Sequence, residues 1–421
     1  METYSELKGT VTKIVMYSTL KACRICGSGI QDVFDLGSQV IASRFPEKNE
    51  ADPPSVPLVL SKCTGDCGLV QLKHTVTPDE MYLHNYGYRS GLNESMQAHL
   101  KTIVNEMTSY VNLRDGDSVL DIGSNDSTLL SYYPTNVTRI GIDPTGEQFR
   151  EYYPSDVKLV PDFFSGETYN KHFGDKKVRC VTTISMFYDL PEPLSFVRDV
   201  ASILSEDGVW IMEQSYMPTM LERNSFDTIC HEHLEYYTFQ QITWMCDKAN
   251  LKIIDVTRND CNGGSFRVAI SHMDSPYEPK HDNIQTLVDY EKTLSPTAMQ
   301  EFDSRCRTQK QKMLDLLTKL RSEGKTVCLY GASTKGNTLL QYYGIDSSMV
   351  ICAAERNPQK FGCRTPLTNI PIVSEEEVRA LKPDYMIVLP WHFREGFLVR
   401  EQKYLAEGGH FIFPLPEVDI V

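Results

Sequence analysis

Apolar residues along this chain fall into short blocks separated by polar turns, and the blocks alternate between two periods. SVLDIG (118–123), RIGID (139–143), CVTTISMF (180–187) and GVWIMEQS (208–215) are nearly continuous apolar runs, as expected of strands buried on both faces. Helical stretches separate them, and the alternation from about Tyr86 to Lys280 predicts a doubly wound parallel sheet. Residues 282–323 space their apolar positions at helical intervals and stop before Gly324, which predicts a linker helix or helix pair. KTVCLYGASTKGNTLL then repeats strand, glycine turn and helix. MVICAAERN and DYMIVLPWHF read as further parallel strands of a second Rossmann-like unit.

A chain of 421 residues exceeds one ordinary core. The expected division is 1–80, 81–280 and 281–421. A composition with 41% hydrophobic and 23% charged residues is globular, and no apolar run approaches the roughly 18–20 residues that span a bilayer. The first twenty residues interrupt every apolar run, so no signal peptide is expected and the protein reads as cytoplasmic, with no membrane partner. The net charge of -14 argues against nucleic acid as a partner, because backbone phosphates demand clustered cations. A nucleotide-linked small molecule remains compatible, since a few local cations and helix N-termini hold a diphosphate. No long heptad seam is present, and a monomer is expected.

Twelve cysteines without a secretory signal favour metal ligation or reduced thiols. Cys23 and Cys26 form a CxxC, Cys63 and Cys67 a CxxxC, and a glycine follows each pair. The arrangement resembles a zinc ribbon, in which four thiolates close the coordination shell and leave no place for substrate. A structural Zn2+ is expected there.

The run VLDIGSNDSTLL (119–130) supplies a strand, an acidic residue, a glycine and then a helix start, as S-adenosylmethionine sites usually open. The GxGxxG spacing of a dinucleotide site is absent, and polar side chains stand where close pyrophosphate approach needs glycine. Asp121, Gly123, Asn125, Asp126 and Asp143 are expected to face one crevice, with Asp143 accepting the ribose hydroxyls and Asp162 and Phe163 against adenine. Farther on, ICHEHLEYY (229–237) gathers imidazoles, carboxylates and tyrosines, the inventory of a proton-transfer site.

The cysteine pairs, NYGYRSG (85–91), VLDIGSND, GIDP, FDTICHEHLEYYT (226–238), NGGSFR (262–267) and YGASTKGNTLLQYYGI (330–345) together resemble the sugar C-methyltransferases of deoxysugar biosynthesis, in the same order and over nearly the whole chain. The resemblance implies an α/β protein of three parts: an N-terminal zinc-binding module, a middle Rossmann-like S-adenosylmethionine methyltransferase domain and a C-terminal Rossmann-like domain that helps hold a nucleotide sugar. It implies methylation of carbon-3 of a nucleotide-linked 4-keto-6-deoxy sugar through an enolate, with His233 as base, Glu232 and His231 orienting it or the sugar, and Tyr86 or Tyr88 donating to the enolate oxygen. Ser333, Thr334, Lys335 and Asn337 would hold the nucleotide sugar, with Trp391 and His392 at its border. Two positions depart from the family pattern. Cys230 stands where tyrosine is usual before HEH, and Ser127 where DIGSNDG has glycine; the latter is expected only to adjust a helix turn. The alternatives are a sugar O-methyltransferase and a non-catalytic nucleotide-sugar-binding protein. A separate nicotinamide cofactor in the C-terminal unit would have only Glu355 as its ribose contact, a weak basis for one.

Overall fold

A computed structural model describes residues 17–77, 81 and 88–421 with their side chains, together with the backbone of 3–7 and 10–14. The chain opens with a hairpin of β1 (Thr3–Leu7) and β2 (Thr10–Ile14). β3 (Tyr17–Thr19) follows, then the long strands β4 (Ile30–Val40) and β5 (Ser55–Cys63), and the short β6 (Val70–Leu72) and β7 (His74–Val76). β4, β5 and β6 form an antiparallel sheet, while β3 pairs with β7.

The helix α1 (Glu94–Tyr110) starts where Asn93 accepts a bond from the Ser95 amide, and it buries Leu100, Ile103, Val104 and Met107 along one stripe. The central sheet comprises β8 (Ser118–Ile122), β9 (Thr138–Ile142), β10 (Lys158–Val160), β11 (Val178–Ile184) and β12 (Leu204–Ser215), with α2 (Gly166–Phe173) and α3 (Pro193–Ile203) between strands. Beyond β12 come α4 (Met217–Glu222), the two-residue β13 (Glu235–Tyr236), α5 (Phe239–Lys248), β14 (Leu251–Asn259) and β15 (Ser265–His272). The order is β10-β9-β8-β11-β12-β15-β14. The first five strands are parallel, as the apolar blocks predict, but β15 runs antiparallel to both neighbours. The expected helix after Gly123 is absent. Asn125 (φ 47°) and Ser127 (φ 67°) occupy the left-handed region, and only a single turn at Leu130–Tyr132 is helical.

The linker is a helix pair, α6 (His281–Lys292) and α7 (Ala298–Ser322). The last unit runs through β16 (Val327–Tyr330), α8 (Thr334–Tyr343), β17 (Ala353–Glu355), β18 (Ile372–Ser374), α9 (Glu375–Leu381), β19 (Tyr385–Val388), α10 (Arg394–Arg400), α11 (Gln402–Ala406), β20 (His410–Phe413) and β21 (Asp419–Ile420). Its sheet order β18-β17-β16-β19-β20-β21 is parallel apart from β21. No described helix is long and apolar enough to cross a membrane.

What positions the site is an exchange between units. β13, directly after the HEH triplet, leaves the central region and pairs antiparallel with β6, so it completes the N-terminal sheet in the order β13-β6-β5-β4. The pairing is reinforced by Arg24, whose Nε lies 3.2 Å from Glu235 Oε1 with both side chains buried, and by the Leu72 amide, which donates to the Leu234 carbonyl at 2.8 Å. Gln241, in the first turn of α5, donates to the Cys67 carbonyl at 2.7 Å. Phe226, just upstream of the triplet, packs against Tyr342 and Tyr343 of α8 at ring distances of 4.9 and 5.4 Å.

Candidate active site

Cys23, Cys26, Cys63 and Cys67 bring their sulfurs together, with Sγ–Sγ distances of 3.5 Å for Cys23–Cys67, 3.4 Å for Cys26–Cys63 and 3.3 Å for Cys26–Cys67. A tetrahedral zinc with bonds of about 2.3 Å needs sulfurs only slightly farther apart. The glycines that follow the pairs, Gly27 (φ 71°) and Gly68 (φ 61°), take the left-handed turn that lets each knuckle close. These residues fit the metal. With four thiolates available, no coordination position is left for chemistry.

At the carboxyl ends of β8 and β9 the turn from Gly123 presents a cradle. Gly123 has φ 75°, and a Cβ there would meet Met186 Cγ at 3.0 Å. Asp121 is buried, accepts from Thr182 Oγ1 at 2.6 Å, and has its pKa pushed up to about 7 by desolvation. Arg89 Nε is buried without a hydrogen-bond partner, 3.5 Å from Asp126 Oδ2. An orphaned donor beside a glycine cradle suits a methyl donor that carries both an amino acid and a nucleoside.

The neighbouring polar residues do more bracing than expected. Asn125 Oδ1 accepts the Ser90 amide and its Nδ2 donates to the Tyr88 carbonyl, while Asp126 Oδ2 accepts the Gly91 amide. Their side chains hold segment 88–91 over the turn and do not simply line an open crevice. Asp143 is likewise committed: Oδ2 accepts the Asn125 amide, and Oδ1 accepts both the amide and hydroxyl of Thr145. Asp162 Oδ1 accepts the Phe163 amide, and Phe163 is 44% exposed just beyond β10.

In the HEH triplet the two histidines face different ways. His231 is buried, with Nε2 donating to the Val56 carbonyl of β5 at 3.0 Å, and burial brings its pKa down to about 4. It anchors the loop to the N-terminal sheet. His233 Nδ1 donates to the Thr228 carbonyl at 2.7 Å and the ring packs on Tyr188 at 4.3 Å, so Nε2 is the nitrogen left as acceptor. Burial, aided by nearby Lys335, lowers its pKa to about 3 and keeps the ring neutral. Glu232 Oε1 is buried without a partner, and burial raises its pKa. Cys230 is buried beside this loop and its thiol is pushed well up by desolvation.

The C-terminal unit approaches the same loop. Lys335 Nζ donates to the Asn262 carbonyl at 2.9 Å, and its charge reaches His233, His392 and Asp227. His392 has a buried Nδ1 without a partner and is kept neutral by burial, its pKa near 3. Ser333 Oγ accepts the Gly336 amide and caps α8, next to Thr334 at the first helical position. Three of the residues weighed in the sequence are held by protein partners. Trp391 is buried and donates its indole N–H to Asp227 Oδ2 at 2.9 Å, so it is an aromatic brace between units. Asn337 is fully buried with Nδ2 donating to the Ala42 carbonyl, which joins α8 to the N-terminal module and not to the cleft. Glu355 accepts the amides of Ala332, Arg356 and Asn357, so its carboxylate is spent on the loop and supports no ribose contact.

Tyr86 lies outside the described residues. Tyr88 is 49% exposed, its phenol near Ser90, Cys261 and Asp126, and desolvation raises its pKa to about 12. Sequence reasoning missed His99, Glu213 and Cys261, which gather beside it. A lone histidine on an amphipathic helix and a glutamate ending an apolar strand carry no spacing signal.

Comparison with known proteins agrees with this layout. Residues 23–82 match the family described as "Putative zinc binding domain", 92–256 a "Methyltransferase domain", and 260–416 a "C-methyltransferase C-terminal domain". The chain is similar to the C-methyltransferase NovU of Streptomyces niveus, with 28% identity over 407 residues, covering 95% of this chain and 96% of that one. Among solved structures it is similar to PH0226 protein from Pyrococcus horikoshii OT3 (TM-score 0.36, 16% identity, 48% of this chain and 99% of that one). It is similar also to the plantazolicin methyltransferase BpumL in complex with a pentazolic desmethylPZN analog and SAH (TM-score 0.34, 10% identity, 46% of this chain and 91% of that one). Matched from its zinc module to its last strands by these three domains, the chain is an S-adenosylmethionine-dependent methyltransferase with a zinc-binding module and a C-methyltransferase C-terminal domain.

Proposed function

We propose that the enzyme methylates carbon-3 of a nucleotide-linked 4-keto-6-deoxy sugar, acting in the cytoplasm as a monomer. The observation that carries this reading is the state of His233: a neutral imidazole, fixed through Nδ1 on the Thr228 carbonyl, with Nε2 left to accept a proton. A base of that kind needs an acidic C–H, which a neighbouring ketone supplies. When bound, S-adenosylmethionine supplies a methyl group on positively charged sulfur, which departs with the bonding pair.

The chain's own residues then divide the work. His233 takes the carbon-bound proton, Glu232 orients the base or the sugar, and the Tyr88 hydroxyl donates to the oxygen on which charge develops. Lys335 and the start of α8, with Ser333 and Thr334, hold the diphosphate, and His392 borders the sugar. Asp121, Gly123 and Phe163 contact the methyl donor, while Asn125, Asp126 and Asp143 keep its turn in shape.

The test is incubation with methyl-labelled S-adenosylmethionine and a panel of nucleotide-linked 4-keto-6-deoxy sugars, with the label located by mass spectrometry and NMR. Label on carbon-3 is expected. Label on oxygen would move the assignment to O-methylation, and cofactor binding without transfer to any sugar in the panel would overturn the substrate class.

A further inference from the structure

A second histidine, His99, has the opposite character from His233. His99 lies in the second turn of α1, and its Nε2 is 2.5 Å from Glu213 Oε1 at the end of β12. Glu213 is fully buried, and its other oxygen accepts from Arg267 Nε at 2.7 Å and Asn259 Nδ2 at 2.9 Å. Arg267 reaches on to Glu106 Oε2 at 2.6 Å, and its Nη2 comes within 3.5 Å of His99 Nε2. Two carboxylates therefore face Arg267 and His99, and the cluster is electrically neutral only when the imidazole keeps its second proton. A buried carboxylate is stable when paired in this way.

The ring leads back toward the reacting centre. The Cys261 thiol lies within 4.8 Å of ligand atoms of both His99 and Glu213, Tyr88 lies in charge range of Cys261, and Tyr188, on which His233 packs, lies in charge range of Tyr88. Tyr88 thus stands in charge range both of the His99–Cys261 cluster and of the Tyr188 ring that stacks on His233. The turn that carries Cys261 is held by the same carboxylate, because Asn259 Oδ1 accepts the Cys261 amide, and its next residue supplies the carbonyl that binds Lys335. Contacts with Cys261 and then Glu213 raise the His99 pKa to about 9, against about 3 for His233. Histidines pushed apart in this manner hold different charge states at neutral pH, one ring cationic and the other neutral.

We propose that His99 is a positioning residue of the methyl transfer, a cation ion-paired with Glu213 that acts through Cys261 and the Tyr88 hydroxyl on the acceptor oxygen, opposite the base. The inference rests on the reading of His233 as base and of a ketone as its activating group. When His233 takes the carbon-bound proton, that bond's electron pair moves into an enolate whose negative oxygen meets Tyr88. As the carbon bonds to the methyl group, the oxygen charge returns to a carbonyl and sulfur keeps the pair of the bond that breaks. His99 and Tyr88 give up no proton in the cycle. Their contribution is a fixed field at the oxygen, which needs no reorganisation when charge appears.

The test compares wild type with His99→Gln in the full-length enzyme. Readouts are turnover, sugar KM, S-adenosylmethionine affinity, and exchange of the carbon-bound proton with deuterated solvent in the presence of S-adenosylhomocysteine. His99→Gln is expected to lower turnover and exchange together by about 10- to 100-fold, with KM and cofactor affinity within about threefold. Wild-type turnover should fall as pH rises past about 9, and the variant should lose that limb. Turnover within about threefold of wild type, or a loss that leaves the alkaline limb unchanged, would overturn the proposal. If the variant does not fold, NMR titration of the His99 ring in the native enzyme decides: protonated at about pH 7.5 is expected, and a neutral ring overturns it. Wild type that methylates no sugar carbon would instead remove the proposed reaction, whatever the state of His99.

Discussion

Replacing His231 by alanine isolates the anchoring half of the HEH triplet, and its cost can be worked from the structure. The ring is 2% exposed and donates to the Val56 carbonyl at 3.0 Å. Its removal leaves that carbonyl unsatisfied, at about 1–3 kcal/mol, and opens a cavity, so a total of about 3 kcal/mol is expected near neutral pH. The folded-state pKa of about 4 lies below the ordinary value of 6.5. Because the folded pKa is depressed, the unfolded chain takes up a proton first as pH falls, and wild type loses stability from about 6.5 downward until the folded ring is also protonated. By about pH 5 that loss amounts to some 2 kcal/mol at about 1.4 kcal/mol per pH unit. Alanine has no proton to bind, so its deficit should shrink from about 3 to about 1 kcal/mol, while groups common to both proteins cancel in the difference. Urea unfolding of both proteins at about pH 7.5 and 5, followed by tryptophan fluorescence, measures this. A deficit of equal size at the two pH values would refute the buried neutral anchor. Turnover of the variant should fall about 10- to 100-fold through loop displacement, with cofactor affinity unchanged.

His233→Gln should lose about 10²- to 10⁴-fold in turnover while S-adenosylmethionine affinity, read by calorimetry, stays within about threefold. Cys67→Ser should abolish stoichiometric zinc by elemental analysis and depress turnover more than cofactor affinity, because β13 hangs on the sheet that the metal module supports. Ser127→Gly should stabilise the protein by about 1 kcal/mol, a rise of about 2–4 °C in melting temperature, since Ser127 holds φ 67° with a buried hydroxyl that has no partner.

Strands β8, β9, β11 and β12 were legible because their buried runs are continuous, and the zinc ligands because soft-metal geometry dictates paired cysteines. The antiparallel β14–β15 pair was not, since its apolar blocks carry no mark of direction. The helix expected after Gly123 failed on the left-handed backbones of Asn125 and Ser127, of which Asn125 is held by tertiary bonds to Tyr88 and Ser90 that local propensity does not announce. In the candidate site, residue type located the HEH loop but could not say which histidine faces the cleft. That distinction comes from Val56 and Thr228, one of them 175 residues away in sequence. The protein partners of Asn337 and Trp391 were hidden for the same reason, because a polar atom beside a glycine turn looks identical whether it meets ligand or protein.

The exchange of β13 into the N-terminal sheet has a consequence for biosynthesis. Residues 229–237 lie at mid-chain, yet their strand partner is made long before them and the rings of α8 that hold Phe226 emerge about 115 residues later. Once β15 has cleared the ribosome every strand of the central sheet is available, but the HEH loop still lacks one of its supports. Contacts so distant in sequence form late. The nascent chain therefore completes the central sheet before the HEH loop is braced from both sides, and a product terminated after β15 would carry the sheet with that loop unsupported on the side of α8.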